Sequence, residues 1–376
     1  MSVSAPSSSV GPALAAARAP IWRGVVEHYR DRLNITHAVP PVTLLEGNTA
    51  LLPAPRLAQA LSNGTGEFEL FIKYEAGNPT GSFKDRGMTA AMTQAVADGA
   101  TAVICASTGN TAASAAAYAA RAGLKCIVLV PDGKIAAGKL AGALSYGAQV
   151  ISINGNFDDG LRMVRQATER APIVLVNNIN PARLQGQKTA AFEIVDVLGD
   201  APDWLVLPVG NAGNITSYWM GFKEYYTDGL STKLPSLFGS QAAGSAPIVT
   251  GKMVEHPETI ATAIRIGNPV RWHEALNALD ESDGQITAVT DDEILESYRL
   301  VSRCEGIFCE PASAAGLAAI AKGLREGWID LRGKRVVCVL TGHGLKDPDT
   351  AIKGAITPVM IEPTIGALLE KLEIRN

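Results

Sequence analysis

Cysteine is scarce in this chain: five residues, at positions 105, 126, 304, 309 and 338, among 376. An odd number in mostly apolar surroundings excludes a disulfide framework and fits a reducing compartment, so a cytoplasmic protein is expected. Cys304 and Cys309 match no common zinc spacing and no histidine lies beside them, so both read as core packing and no metal is expected. A surplus of charge of one sign is also missing. The formal net charge is −4, and no dense run of lysine or arginine could track a phosphate backbone, which removes nucleic acid as a partner. No apolar stretch reaches the roughly 18–20 residues that cross a bilayer, because Gly, Pro, Asn or charge breaks each one, so no membrane partner is expected. Acidic residues are absent from Met1 to Pro20, a stretch rich in Ser and Ala in which Arg18 is the one positive charge. That composition reads as a disordered tail over 1–21 rather than a transit peptide.

What the chain does have is apolar bulk. With 47% hydrophobic residues over this length, more than one core is expected, and with two domains comes a cleft. From Glu69 onward, short β-branched runs alternate with Ala-rich stretches of helical length. The runs are Leu70–Tyr74, Ala102–Cys105, Cys126–Val130, Val150–Ile153, Ile173–Val176, Trp204–Val209 and Arg335–Leu340. Runs with so little alternation suit strands covered on both faces, and the βαβ rhythm predicts parallel sheets. The fold class is α/β: two domains, each with an open, mostly parallel sheet flanked by helices. A small domain is expected over 85–177 and a large one over 22–84 plus 178–376. Ligands of such sheets bind beyond the carboxyl ends of the strands.

The chemistry-bearing residues lie in such loops. Gly81 to Gly87 reads Gly-Ser-Phe-Lys-Asp-Arg-Gly, with Lys84 in a tight turn at the mouth of a helix. A crowded, partly desolvated turn lowers a lysine's pKa and favours a Schiff base with an aldehyde. After the strand at Ala102 come Ser107, Thr108, Gly109, Asn110, Thr111 and Ser114, hydroxyls and an amide at a helix N-terminus where an anion or a phenolate oxygen could be held. Capping by Ser107 or Asn110 accounts for one such residue, not for all of them. After the strand at Trp204, Gly210-Asn211-Ala212-Gly213-Asn214 permits consecutive N–H groups to form a nest for phosphate, although tight turns also need glycine for steric reasons. Arg183, at the start of a helix after Asn177 and Asn178, could clamp a second phosphate. Thr341, at the end of the last strand, could meet a ring nitrogen without fixing a proton on it. His343 is either a base or structural and takes no role here.

Together and in this order, the Lys84 turn, the Ser-Thr-Gly-Asn-Thr loop from Ser107, the Gly-Asn-Ala-Gly-Asn loop from Gly210 and Thr-Gly-His-Gly-Leu-Lys-Asp-Pro from Thr341 resemble the pyridoxal-phosphate enzymes of the tryptophan synthase β-like fold, fold type II. Most closely they resemble the threonine synthase family, over about Trp22 to Ile356. The resemblance implies pyridoxal 5'-phosphate in the interdomain cleft, with Lys84 as the catalytic residue that holds it. It implies Asn110 on the phenolic oxygen, the backbone of Gly210, Asn211, Ala212, Gly213 and Asn214 around the cofactor phosphate, and Thr341 at the ring nitrogen. Ser107, Thr111, Asn178 and Arg183 would hold the phosphate of O-phospho-L-homoserine. Family members often carry Ser where this chain has Asn178. The implied reaction is γ-elimination of phosphate and β-addition of water, giving L-threonine, in a homodimer. Two other readings stay open: a serine/threonine dehydratase of the same fold, which needs no second phosphate site, and a catalytically silent, cofactor-binding metabolite sensor. The Gly47-Asn48-Thr49 segment and Lys139 are each ambiguous and take no role.

Overall fold

The structure, a computed structural model, describes residues 21–62, 67–132, 137–155, 157–353 and 358–372. The tail expected over 1–21 lies outside this set except for Ile21. Among the described residues there are ten strands: β1 (Leu51–Pro53), β2 (Glu69–Tyr74), β3 (Ala102–Ala106), β4 (Lys125–Pro131), β5 (Gln149–Ile153), β6 (Ile173–Leu175), β7 (Trp204–Pro208), β8 (Ser236–Ala242), β9 (Gln285–Val289) and β10 (Arg335–Leu340). Every run read from the sequence is a strand. They form two sheets, one of six strands in the order β1-β2-β10-β7-β8-β9 and one of four in the order β5-β4-β3-β6. All pairs are parallel except β1 with β2. In the larger sheet β10 is central and buried from Val336 to Leu340, because helices cover both of its faces and leave no side for polar residues.

Parallel strands aim their carboxyl ends the same way. β2 therefore leads toward Lys84, β7 toward Gly210 and β10 toward Thr341 at one edge of the large sheet. At the matching edge of the small sheet, β3 leads to Ser107 and β6 to Asn178. Two helices lock the sheets together: Lys84–Ala97 and Pro181–Leu198, the latter started by an Asn180 cap and Pro181 at its first position. They cross at two glycines. A β-carbon at Gly186 would lie 1.9 Å from the Arg86 carbonyl oxygen, and one at Gly87 would lie 2.9 Å from that of Arg183. No larger residue fits this backbone approach, which sets Lys84 and Arg183 at the same end of the crossing.

A buried ionic cluster sits behind that crossing. Arg86 donates Nε to Glu75 at 2.7 Å, Nη1 to Glu193 at 2.7 Å and Nη2 to both carboxylates at 2.8 and 2.6 Å. Lys73 on β2 donates to Glu193 at 2.7 Å and to the Thr49 carbonyl at 2.9 Å. Glu193 also accepts the backbone N–H groups of Asn48 and Thr49, so Gly47-Asn48-Thr49 is more than a surface turn. Two cations face two carboxylates with nearly every lone pair used, the condition under which buried charges are tolerated. Burial opposes the charge on Glu193, but Arg86 and Lys73 outweigh it and hold the carboxyl at about 2, below its usual 4.5.

That depression is worth about 3 kcal/mol of stability. It is present above pH 4.5 and lost as pH falls through 2. Glu193→Gln should lower the unfolding free energy at pH 7 by ~3–5 kcal/mol in a urea titration. The variant's deficit should shrink steadily as pH drops from 4.5 toward 2. A deficit independent of pH over that window would mean that the cluster is held by packing rather than charge.

Candidate active site

Lys84 opens its helix from a turn that is itself pinned. Phe83 N–H donates to the Thr341 carbonyl at 3.0 Å, His343 N–H donates to the Gly81 carbonyl at 2.9 Å, and Ser82 pairs with Gly342. The loop after β10 is thus the wall behind the lysine. Its neighbour Asp85 is buried and accepts from Thr80 N–H at 2.7 Å, Thr80 Oγ1 at 2.6 Å and Ser114 Oγ at 2.6 Å, fastening the turn to helix Asn110–Ala122. The Lys84 side chain keeps part of its surface open, with Nζ 3.9 Å from the centre of the Phe83 ring. Desolvation, then the positive charge of Arg183, bring its pKa down to about 7, against a smaller opposing pull from Glu310.

Around this amine the structure assembles most of the residues anticipated. Asn110 donates Nδ2 to both carboxylate oxygens of Glu310 at 3.1 Å. The Thr341 hydroxyl is buried 2.9 Å from Ser313 Oγ, a neutral pair of hydroxyls. Ala212 stands at φ 63°, ψ −4° ahead of helix Gly213–Thr227. A residue other than glycine in this left-handed region is strained, and such strain persists where the surroundings demand the turn. Two residues further on, Asn214 Nδ2 is buried with no partner among the described residues.

The second group is arranged differently from the expectation in one respect. Ser107 Oγ accepts from Gly109 N–H at 3.3 Å, and helix Asn110–Ala122 has no side-chain cap. Neither Ser107 nor Asn110 therefore spends its polar atoms as a cap, and the first N–H groups of that helix stay available beside the half-buried Thr111. Arg183 is 1% exposed, yet only Nη1 is engaged, at 3.2 Å from the Val176 carbonyl, while Nε and Nη2 have no partner among the described residues. Burial lowers its pKa to about 10. Asn178 instead turns toward the Gly210 loop, donating Nδ2 to the Asn211 carbonyl at 3.1 Å. It lies over Gly213 where a β-carbon would be. His343 Nδ1 accepts from Leu345 N–H at 3.1 Å and so caps its own short turn. The side chain of Lys139 lies outside the described set.

Two contributors were not read from the sequence, Glu310 and Ser313. Both stand at the start of helix Pro311–Glu326, where Glu310 is 4% exposed and does not cap the helix. An acidic residue between an apolar run and an Ala-rich helix, directly before proline, is the local signal that marks it. Burial raises the Glu310 pKa, with Asn110 and Lys84 pulling the other way.

The donor set fits pyridoxal phosphate: an amine free of its proton near pH 7 for the aldehyde, a strained backbone turn with an unused amide for a phosphate, and hydroxyls rather than a carboxylate for a ring nitrogen. Among the described residues no group of His, Cys, Asp or Glu is arranged to hold a metal, and no helix is long and apolar enough to cross a membrane. Because the Lys84 pKa is lowered, the reactive neutral amine prevails above pH 7 rather than above 10. Borohydride trapping of an aldehyde on Lys84, read by peptide mass spectrometry, should rise with a midpoint near pH 7. A midpoint near 10 would place this amine in ordinary solvent.

Comparison with known proteins agrees with this chemistry. The chain matches the family described as "Pyridoxal-phosphate dependent enzyme" over residues 42–342. A threonine synthase of Mycobacterium tuberculosis is 57% identical over 354 residues, covering 93% of this chain and 96% of its own. A threonine synthase of Synechocystis sp. is 56% identical over 359 residues, covering 94% of this chain and 92% of its own. Among solved structures, a serine racemase from Dictyostelium discoideum superposes with a TM-score of 0.65 over 79% of this chain and 92% of its own, at 24% identity, a likeness of fold alone. The chain belongs to the pyridoxal-phosphate-dependent enzymes and, within them, to the threonine synthase family.

Proposed function

We propose that the site residues divide between two anions on either side of Lys84, in an enzyme that converts O-phospho-L-homoserine and water to L-threonine and phosphate. The observation that carries this division is the pairing of a lysine amine brought down to about 7 with a buried Arg183 whose Nε and Nη2 are unused. One anion is the cofactor's own phosphate, assigned to the Gly210–Asn214 backbone with Asn178 bracing that loop. The other is the substrate's phosphate, assigned to Ser107, Thr111 and Arg183. Asn110 is assigned to the cofactor's phenolic oxygen and Thr341 to its ring nitrogen. A dehydratase acts on an amino acid without phosphate and leaves Arg183 with no ligand to meet.

Pyridoxal phosphate, when bound, supplies the aldehyde that Lys84 engages and a ring that accepts electrons from the substrate's Cα. The rest falls to the chain. Lys84, released as a neutral amine, takes the Cα proton and is held by its pinned turn within reach of the neighbouring carbons. Over the whole reaction the bond between Cγ and the phosphate oxygen breaks, Cβ gives up a hydrogen and gains the oxygen of water, and Cγ gains a hydrogen. Arg183 and the hydroxyls of Ser107 and Thr111 meet the charge that collects on the departing phosphate, and burial of Arg183 makes its field strong there.

In this reading residues 85–177 form the smaller domain and 22–84 with 178–376 the larger, and the reaction proceeds in the cleft between them. A cytoplasmic location accords with five free cysteines. A homodimer accords with the apolar side chains that helix Ile365–Lys371 and the preceding segment leave uncovered, Met360 at 96% exposure and Ile365 at 70%. Arg183→Ala should raise KM for O-phospho-L-homoserine by about 10- to 100-fold, the weight of hydrogen bonds to a charged group. The visible absorbance of the bound cofactor should be unchanged. Normal turnover in a phosphate-release assay would remove Arg183 from the substrate site.

A further inference from the structure

The helix that carries Arg183 holds a second buried polar side chain with nothing to bond. Gln187 is 1% exposed, and neither its Nε2 nor its Oε1 has a partner among the described residues. The other polar side chains of this helix are satisfied. Lys188 donates to Glu224, Thr189 donates to the Gly186 carbonyl, Gln185 accepts from Asn34 N–H, and Glu193 lies in the ionic cluster. Unused buried atoms on this helix are thus confined to positions 183 and 187, one turn apart on one face. That face looks onto helix Lys84–Ala97. A β-carbon on Gly87 would stand 2.8 Å from Gln187 Nε2 and 3.2 Å from Arg183 Cβ, so the glycine one turn after Lys84 is what admits the amide.

A primary amide buried without partners is costly, whereas Leu or Met would fill the same volume without that cost. A side chain kept there in spite of this is explained by a ligand, and phosphate fits its neighbourhood. Resting on the assignment of the substrate's phosphate to Arg183, we infer that Gln187 is a specificity residue of the same subsite, its Oε1 accepting from an unused Arg183 N–H and its Nε2 donating to a phosphate oxygen. The amide holds the guanidinium in one orientation and adds a neutral donor, favouring a phosphorylated amino acid over its free hydroxyl counterpart.

Inorganic phosphate and L-threonine serve as separate probes of the two halves of the site in the cofactor-loaded enzyme. Gln187→Met keeps the side-chain length and removes both hydrogen-bonding groups. It should weaken competitive inhibition by inorganic phosphate, and raise KM for O-phospho-L-homoserine, by about tenfold each. The spectral response to L-threonine should stay near wild type. Gln187→Glu, of the same shape but negatively charged, should weaken phosphate further. If Gln187→Met does not fold, the Glu variant decides through the same assay, and wild-type phosphate inhibition in it would overturn the inference. Equal weakening of phosphate and L-threonine would mark Gln187 as a packing residue and also overturn it. If Arg183→Ala loses phosphate inhibition while Gln187→Met keeps it, only the role of Gln187 falls. If both variants keep it, the Arg183 assignment falls as well.

Discussion

One guanidinium organises this molecule. Arg86 lies two residues beyond Lys84, and its five N–H donors are spread over Glu75, Glu193, Thr49 and Thr189. The partners come from three pieces of chain: Glu75 at the end of β2, Thr189 and Glu193 on the helix Pro181–Leu198, and Thr49 in the loop at Gly47. A planar fork with fixed angles satisfies all of these only in one arrangement. The position of Lys84 along its helix is therefore set by contacts on the far side of the helix from the chemistry. Such a site is held rigid by charge pairing behind it, while Arg183 Nε and Nη2 and Asn214 Nδ2 have no partner among the described residues.

That division between committed and uncommitted atoms separates framework from site. In the ionic cluster every charged group meets an opposite charge. Asp85 accepts three hydrogen bonds although burial raises its pKa to about 6. Among the described residues, the unpartnered buried side-chain atoms fall on Ser82, Arg183, Gln187, Asn214 and Tyr218, on or one turn beyond segments that carry site residues. Buried polar groups without partners are rare in native folds because each costs roughly 1–3 kcal/mol. Those on Arg183 and Asn214 belong to the groups assigned above to the two phosphates.

Much of this was legible in the residues. The strands that were read are unbroken apolar runs, and the site loops follow them because parallel sheets gather their carboxyl ends. β1, β8 and β9 were not read; in β8, Ser236, Gly239, Ser240 and Gln241 dilute the apolar pattern. β8 is nonetheless buried, since Gly239 makes room for Val209 and Ile286 pressing on it. The contribution of Glu310 escaped for another reason. It acts on Asn110 across 200 positions of sequence, and its local surroundings read as an ordinary helix start before proline. Asn178 shows the same limit: its type and place near the site were legible, but its turn toward the Gly210 loop depends on Gly213, which lacks the β-carbon that would exclude it. Sequence pattern reports which face of an element is buried; pairing between distant loops is decided by packing.

The charges around Lys84 suggest how one amine serves successive proton transfers. Its pKa is lowered by desolvation and by Arg183, and raised by Glu310. A phosphate dianion seated on that guanidinium, on the proposed assignment, offsets the Arg183 contribution. On the proposed assignment, phosphate binding therefore increases the proton affinity of Lys84 at the stage when it must take a proton from Cα. Departure of the phosphate restores the field and favours giving the proton back. By linkage the same coupling runs in reverse, so a protonated Lys84 binds the phosphate more tightly than a neutral one. The buried position of Arg183 is what makes this coupling large, since a solvated guanidinium at the same distance would be screened. Burying a cation with unused donors costs stability in the free protein; on the proposed assignment, what it provides is a lysine whose basicity follows the arrival and loss of the leaving group.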